Sequence, residues 1–274
     1  MRRIAVTAMI CLGAGAWAQK IDRPIAYTTV QVNKSYFHAV IADMNGDKVT
    51  AEAVYRPKLT GLWSMISDTQ PVASITGTFF AFENQKPIAD VLVDGELVAT
   101  GRRGSVVAVD WFGQVKIFDA KFKQEIDWFP YRYALRGLVR VISDGKVSPN
   151  PQAQQFKDKR IWGKAARTGI GLTKHNKLVM VATRSSVTLS ELGEAMKKLG
   201  AINAVALDGG GSTSLYYRGD MLIGTSRPLC NLFVLHERSP VDTAYQKHIR
   251  KVAQAQADSA VQGAFAPPVK PPSR

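Results

Sequence analysis

Cysteine is nearly absent: the 274 residues contain two, Cys11 and Cys230. Cys11 falls within the first eighteen residues, so a chain cleaved after them keeps Cys230 alone and forms no intramolecular disulfide. Such a chain must hold together by its core. At 46% hydrophobic residues it has the material for one large domain or two small ones. Cys230 lies in the apolar run 229–235 with no second thiol or general base placed beside it, which reads as a buried strand residue rather than a nucleophile. Clustered His/Asp/Glu spacing is also missing, so no cofactor is expected, with a divalent ion at Asp208 left as an open alternative. Beyond residue 16 no apolar run reaches the length of a membrane helix, which argues against a transmembrane anchor. Acidic residues are outnumbered, 22 against 36 basic, for a net charge of +14. The basic residues are dispersed, and there is no helix-turn-helix, RNA-binding aromatic motif or zinc spacing. Nucleic acid is therefore not the expected partner, and anionic envelope polymers or phosphorylated sugars are.

What is present begins with an address. Arg2 and Arg3 precede the apolar run 4–16, which closes in Ala16–Trp17–Ala18. A basic start, a short apolar core and an A-x-A site predict a secretory signal peptide over residues 1–18, and hence a periplasmic or secreted protein starting at Gln19. Removing Arg2 and Arg3 takes the charge from +14 to +12. At the other end, residues 246–274 turn Ala-, Gln-, Lys- and Pro-rich, the composition of a disordered basic tail.

Between the two ends the pattern is dominated by strands. Residues 28–32, 36–42 and 49–55 are β-rich, with a turn at Asn45–Gly46–Asp47, and predict a β-rich N-terminal region over 19–70. Leu62, Met65 and Ile66 have helical spacing. Hairpins are expected at 91–98 about Asp94–Gly95 and at 105–118 about Gly113. Residues 138–147 repeat the form of 91–98. Thr188–Glu191 is a capping box, and Leu189, Leu192, Ala195, Met196 and Leu199 share one helical face up to Gly200. This helix joins the strand 177–183 to the strand 204–207, predicting a parallel strand–helix–strand unit. The expected fold is α+β, a mixed β-sheet core with a few helices.

That unit delivers the stretch in which chemistry is expected. Residues 203–207 end in Asp208, three glycines (Gly209, Gly210, Gly211) and the hydroxyls of Ser212, Thr213 and Ser214. A carboxylate at a strand's carboxyl end beside a loop whose amides can approach an anion is a common catalytic arrangement. A tight turn held by the Asp208 side chain is the structural alternative.

Four segments carry a resemblance to a known family: Ile75–Phe80, Ala166–Gly171, Ala204–Thr213 and Arg227–Asn231. In order and spacing they resemble successive motifs of the phosphodiester glycosidases, over about residues 71–238. Family members usually carry Asn–Gly in the first motif, where this chain has Thr76–Gly77. The resemblance implies hydrolysis of a sugar–phosphate diester at the anomeric carbon. On that basis Asp208 is expected as nucleophile or base and Arg167 as a bidentate phosphate clamp. Asp94 or Asp90 is the expected second carboxylate. Gly77, Thr168, the amides of Gly209 to Gly211 and the Ser212 hydroxyl are expected around the phosphate. Thr76, Arg227 and Asn231 are expected as orienting or structural residues. The expected partner is a glycosyl phosphodiester or an anionic envelope glycan. A non-catalytic glycan binder and a phosphomonoesterase are the alternatives.

Overall fold

A computed structural model of the chain describes residues 23–81 and 83–238, together with positions 254 and 258. The expected signal peptide lies outside these residues, as does the expected tail apart from Gln254 and Asp258, whose backbone is helical.

The first part of the chain forms β1 (Ile25–Val32), β2 (Ser35–Asp43), β3 (Val49–Thr60), α1 (Leu62–Thr69) and β4 (Ala73–Thr76). Two hairpins follow, β5 (Val91–Val93) with β6 (Glu96–Ala99) and β7 (Ser105–Asp110) with β8 (Val115–Phe118), and then β9 (Tyr131–Ser143) and β10 (Lys146–Val147). Next come α2 (Lys159–Trp162), β11 (Ala165–Thr173), β12 (Lys177–Val187), α3 (Leu189–Lys198) and β13 (Ala201–Ala206). A single 3-10 turn (Gly210–Ser212) leads to β14 (Leu215–Tyr217), β15 (Asp220–Ile223) and β16 (Leu229–Glu237).

These strands build two antiparallel sheets, and the fold is mostly β rather than the α+β expected. The larger sheet has 11 strands, with the path β1-β2-β12-β11-β13-β9-β5-β6; the smaller has 5, in the order β15-β14-β4-β16-β3. The α+β expectation weighed the α3 unit too heavily. That unit exists, and β12 and β13 do run the same way, but β11 lies between them and pairs antiparallel with both. Every hydrogen-bonded neighbour is thus antiparallel, and the short hairpin connections outnumber the crossover. Residues 25–60 are strands as expected, with β1 and β2 extending the large sheet and β3 bordering the small one.

Four layers result. The two sheets pack face to face through alternating residues such as Leu135, Ile170, Met180 and Val205 on one side and Ala53, Ile75, Phe233 and Leu235 on the other. α3 covers the outer face of the large sheet with Leu189, Leu192, Ala195 and Met196, starting at a capping box between Thr188 and Glu191. α1 covers the outer face of the small sheet with Leu62, Met65 and Ile66 against Val54, Leu232 and Val234. Cys230 is buried in β16, where burial pushes its thiol pKa up, as befits a structural residue. Both Asp–Gly hairpins form with positive φ at each turn residue, Asp94 and Gly95, then Asp144 and Gly145.

Candidate active site

Two strand ends, one from each sheet, meet at Asp208. Its N–H donates to the Gly77 carbonyl at 3.0 Å, just past β4 of the small sheet. The Thr168 hydroxyl on β11 of the large sheet donates to its carbonyl. The preceding Leu207 N–H donates to the Thr168 carbonyl at 3.0 Å. Asp208 is therefore fixed by its backbone before its carboxylate takes any part.

Close approach explains two glycines here. A Cβ on Gly77 would fall 1.9 Å from Asn231 Oδ1, and one on Gly209 would fall 2.5 Å from the Ala166 carbonyl. Asn231, 2% exposed, accepts from the Thr78 N–H at 2.6 Å and donates to the Thr78 carbonyl at 3.2 Å. It clamps the Gly77–Thr78 segment from β16 and is satisfied in doing so. The Thr78 hydroxyl adds a bond to the Arg136 carbonyl at 2.7 Å. Thr76 is buried opposite Leu232, so strand alternation puts it on the outer face of the small sheet, away from the face Asn231 takes.

The carboxylate itself is 7% exposed by residue. Its Oδ1 accepts from the Gly209 N–H at 2.8 Å and its Oδ2 faces Arg227 Nη2 at 3.4 Å. Arg227 Nε donates to Ser212 Oγ at 2.7 Å, and its guanidinium lies over the Phe80 ring at 5.4 Å. The loop that carries Arg227 is tied to the glycine turn, since the Ser226 N–H and the Thr225 hydroxyl both donate to the Gly211 carbonyl. Burial raises the pKa of Asp208 above that of an ordinary aspartate, and the bonds from Ser212, Arg227 and Gly209 oppose that rise without cancelling it. A carboxylate so placed is a stronger base than one in water.

Other expected site residues are placed elsewhere. Arg167 Nη2 donates to the carbonyls of Ile161, at 2.9 Å, and Gly163, while Nε faces the Val187 carbonyl. Among the described residues no carboxylate pairs with it, and burial lowers its pKa. Arg227, expected to orient the ligand or serve the structure, is the cation on Asp208. Asp94 sits in the β5–β6 turn with its side chain 61% exposed, bonded to Arg132 at 2.7 Å and to the Tyr133 hydroxyl at 2.9 Å. Asp90 is buried and bound to Arg136 at 2.8 Å and to the N–H groups of Gly101 and Arg102. Neither carboxylate contacts Asp208. Of the three glycine amides expected around an anion, that of Gly209 turns back to Asp208, while the N–H groups of Ser212 and Thr213 close the 3-10 turn. Phe80 had no assigned role in the sequence, although it lies in the first motif. Among the described residues no group of three or more His, Cys, Asp or Glu is placed to hold a metal ion. No helix there is long and apolar enough to cross a membrane.

The chain is thus a β-sandwich covered by a helix on each face, with a buried carboxylate beside a partly exposed arginine at a glycine-rich strand end. The model of the phosphodiester glycosidase family matches residues 69–244, and the chain belongs to that family. The N-acetylglucosamine-1-phosphodiester alpha-N-acetylglucosaminidase of Bos taurus is 23% identical over an alignment of 169 residues that covers 53% of this chain and 31% of the relative. The chain thus spans about a third of that relative's length. Among solved structures, the zebrafish N-acetylglucosamine-1-phosphodiester alpha-N-acetylglucosaminidase catalytic domain, auto-inhibited by its pro-peptide, shares the fold with a TM-score of 0.65. Its sequence identity is 16%, with 78% of this chain and 82% of that one covered. A hypothetical protein from Synechocystis has a TM-score of 0.60 at 15% identity, covering 78% and 62% of the two chains. A putative exported protein from Burkholderia pseudomallei has 0.54 at 12%, covering 74% of each.

Proposed function

We propose that the protein is an exported hydrolase that cleaves a glycosyl phosphodiester at the anomeric carbon, releasing free sugar and a phosphomonoester. The observation that carries this reading is the Asp208–Arg227 pair: a base and a cation held side by side at the end of β13. Family membership supports the reaction class. The basic, apolar and A-x-A pattern of residues 1–18 supports export.

The leaving group sets the demands on the site. A phosphate diester oxygen departs as a weakly basic anion, so the site must stabilise that anion and supply a nucleophile. Arg227 takes the phosphate oxygens, with the Ser212 hydroxyl beside it. Asp208 removes a proton from water as the water oxygen bonds to C1. The C1–O bond to phosphorus breaks with both electrons leaving on the phosphate oxygen, and the proton passes on to bulk water. Asn231 and Gly77 hold Asp208 through its backbone, and Arg167 ties β11 to the carbonyls of Ile161 and Gly163.

The test is turnover by the chain from Gln19 on a panel of sugar-1-phosphodiesters, with reducing sugar and inorganic phosphate assayed separately. Reducing sugar without inorganic phosphate is expected. Inorganic phosphate as first product supports a phosphomonoesterase instead, and saturable binding of anionic glycans without any turnover supports a binding protein.

A further inference from the structure

Arg227 borders a second feature besides Asp208. A cleft of about 340 Å³ opens between the start of α1 and the 221–228 segment, lined by Leu62, Trp63, Met221, Thr225, Arg227 and Pro228 among others. That volume falls in the range of small-ligand sites, about 300–1,000 Å³. Of the nine lining residues only Arg227 is charged. The cleft therefore suits a neutral, partly apolar group whose one anionic end reaches the guanidinium.

Trp63 gives that cleft a wall with a shape. α1 buries Leu62, Met65 and Ile66, and Trp63 falls off that face, 58% exposed. Its indole stands nearly perpendicular to the Tyr216 ring, 82° at 6.1 Å. An edge-on neighbour fixes the orientation of a ring without covering both of its faces. A large indole so exposed does little for the core, and an oriented aromatic face is what the apolar C–H face of a pyranose stacks on.

We infer that this cleft is the subsite for the leaving alcohol, with Trp63 as the platform on which its ring stacks, the phosphate at Arg227 and the anomeric carbon at Asp208. The order of the three along the substrate rests on the hydrolase reading above; the platform itself does not. Trp63 is then the residue that separates diesters of ring alcohols from diesters of small ones.

Binding of products tests it without requiring turnover. Glucose 6-phosphate, galactose 6-phosphate and methyl phosphate carry the same charged group with and without a ring. Titrated calorimetrically into the chain from Gln19, a hexose phosphate is expected to bind about threefold to tenfold more tightly than methyl phosphate, the scale of one aromatic stacking contact. Trp63→Ala should erase that difference while leaving methyl phosphate affinity unchanged, and Trp63→Phe should restore most of it. Equal binding of all three probes by the unaltered chain overturns the inference, as does a preference that survives Trp63→Ala. A preference that depends on Trp63 in a chain with no diester turnover keeps the subsite and removes the hydrolase reading.

Discussion

Two aspartate–arginine pairs in this molecule look alike on paper and differ in kind. Asp90 and Arg136 are 3% and 0% exposed at their side chains and meet at 2.8 Å. Asp90 also accepts two backbone N–H bonds, and Arg136 donates to the carbonyls of Gln124 and Lys121. That pair is closed on itself and on the backbone around it. Asp208 and Arg227 meet at 3.4 Å, with side chains 9% and 30% exposed. The second pair is held as firmly by its backbone, yet its charged atoms stay apart and partly reachable. A tight, enclosed ion pair braces a fold; a wider, partly exposed one at the end of a strand can be reached by a substrate.

The largest expected effect breaks the looser pair. Asp208→Asn keeps the shape and one of the two acceptor oxygens but removes the base, and turnover should fall by about 10²–10⁴ if Asp208 is the general base. The same variant should be the more thermostable one at neutral pH. Because the folded chain holds the Asp208 proton more tightly than the unfolded chain, protonation of Asp208 stabilises the parent, and that contribution is complete below the unfolded pKa of an aspartate. It is lost as pH rises through the elevated folded value. A melting temperature for Asp208→Asn that exceeds the parent at pH 7 and converges with it in acid is the expected pattern. Unchanged turnover would remove Asp208 from the mechanism.

Next in size is the closed pair. Asp90→Ala leaves Arg136 buried with its partner gone, which should cost about 3–5 kcal/mol in denaturant melts. Any loss of activity should follow loss of fold, with the soluble fraction keeping its kcat. A variant that stays stable but loses kcat would place Asp90 in the chemistry after all. Gly77→Ala stands between the two regions. Its Cβ displaces the Asn231 amide, so about 1–3 kcal/mol of stability should be lost. The displacement also reaches Asp208 through the Gly77 carbonyl, so kcat should fall in the folded fraction, which Asp90→Ala predicts it should not.

The sequence made the looser pair half legible. Asp208 and its glycines stand out because a strand that stops in Asp–Gly–Gly–Gly leaves little else for those residues to do. Arg227 was visible in its motif but not as the partner, since it lies 19 positions away and the contacts of Thr225 and Ser226 with the Gly211 carbonyl bring it back. Arg167 was closer to Asp208 in motif logic. Its bonding to the carbonyls of residues 161–163 comes from a short helix with no apolar pattern to announce it. Asp94 illustrates the converse: Asp–Gly between two apolar strands is a turn signal, and the structure uses it as one. The fold was read locally with success at most strands and at the α3 capping box, while β11, β14 and β15 were not read as strands. It was misread in class because pairing partners are set by packing across the whole sandwich. A local strand–helix–strand pattern is blind to the β11 strand inserted between its two ends.

The smallest effect is the one that separates charge from geometry in the looser pair. Burial raises the Asp208 pKa, and the Arg227 charge and its hydrogen bond help to hold it back. Asp208 acts as a base only when ionised, so kcat/KM should climb with pH along an acid limb whose midpoint lies above the ordinary aspartate value. Arg227→Met withdraws the opposing charge, and the limb should move further up in pH. Arg227→Lys keeps the charge but not the planar fork, so its limb should stay near that of the parent while KM rises. The two variants therefore part company: Met changes the pH midpoint and KM, Lys chiefly KM. An acid limb that ignores Arg227→Met would mean that the 3.4 Å contact does not act on the ionisation of Asp208, and the proton acceptor would have to be sought elsewhere along the same strand end.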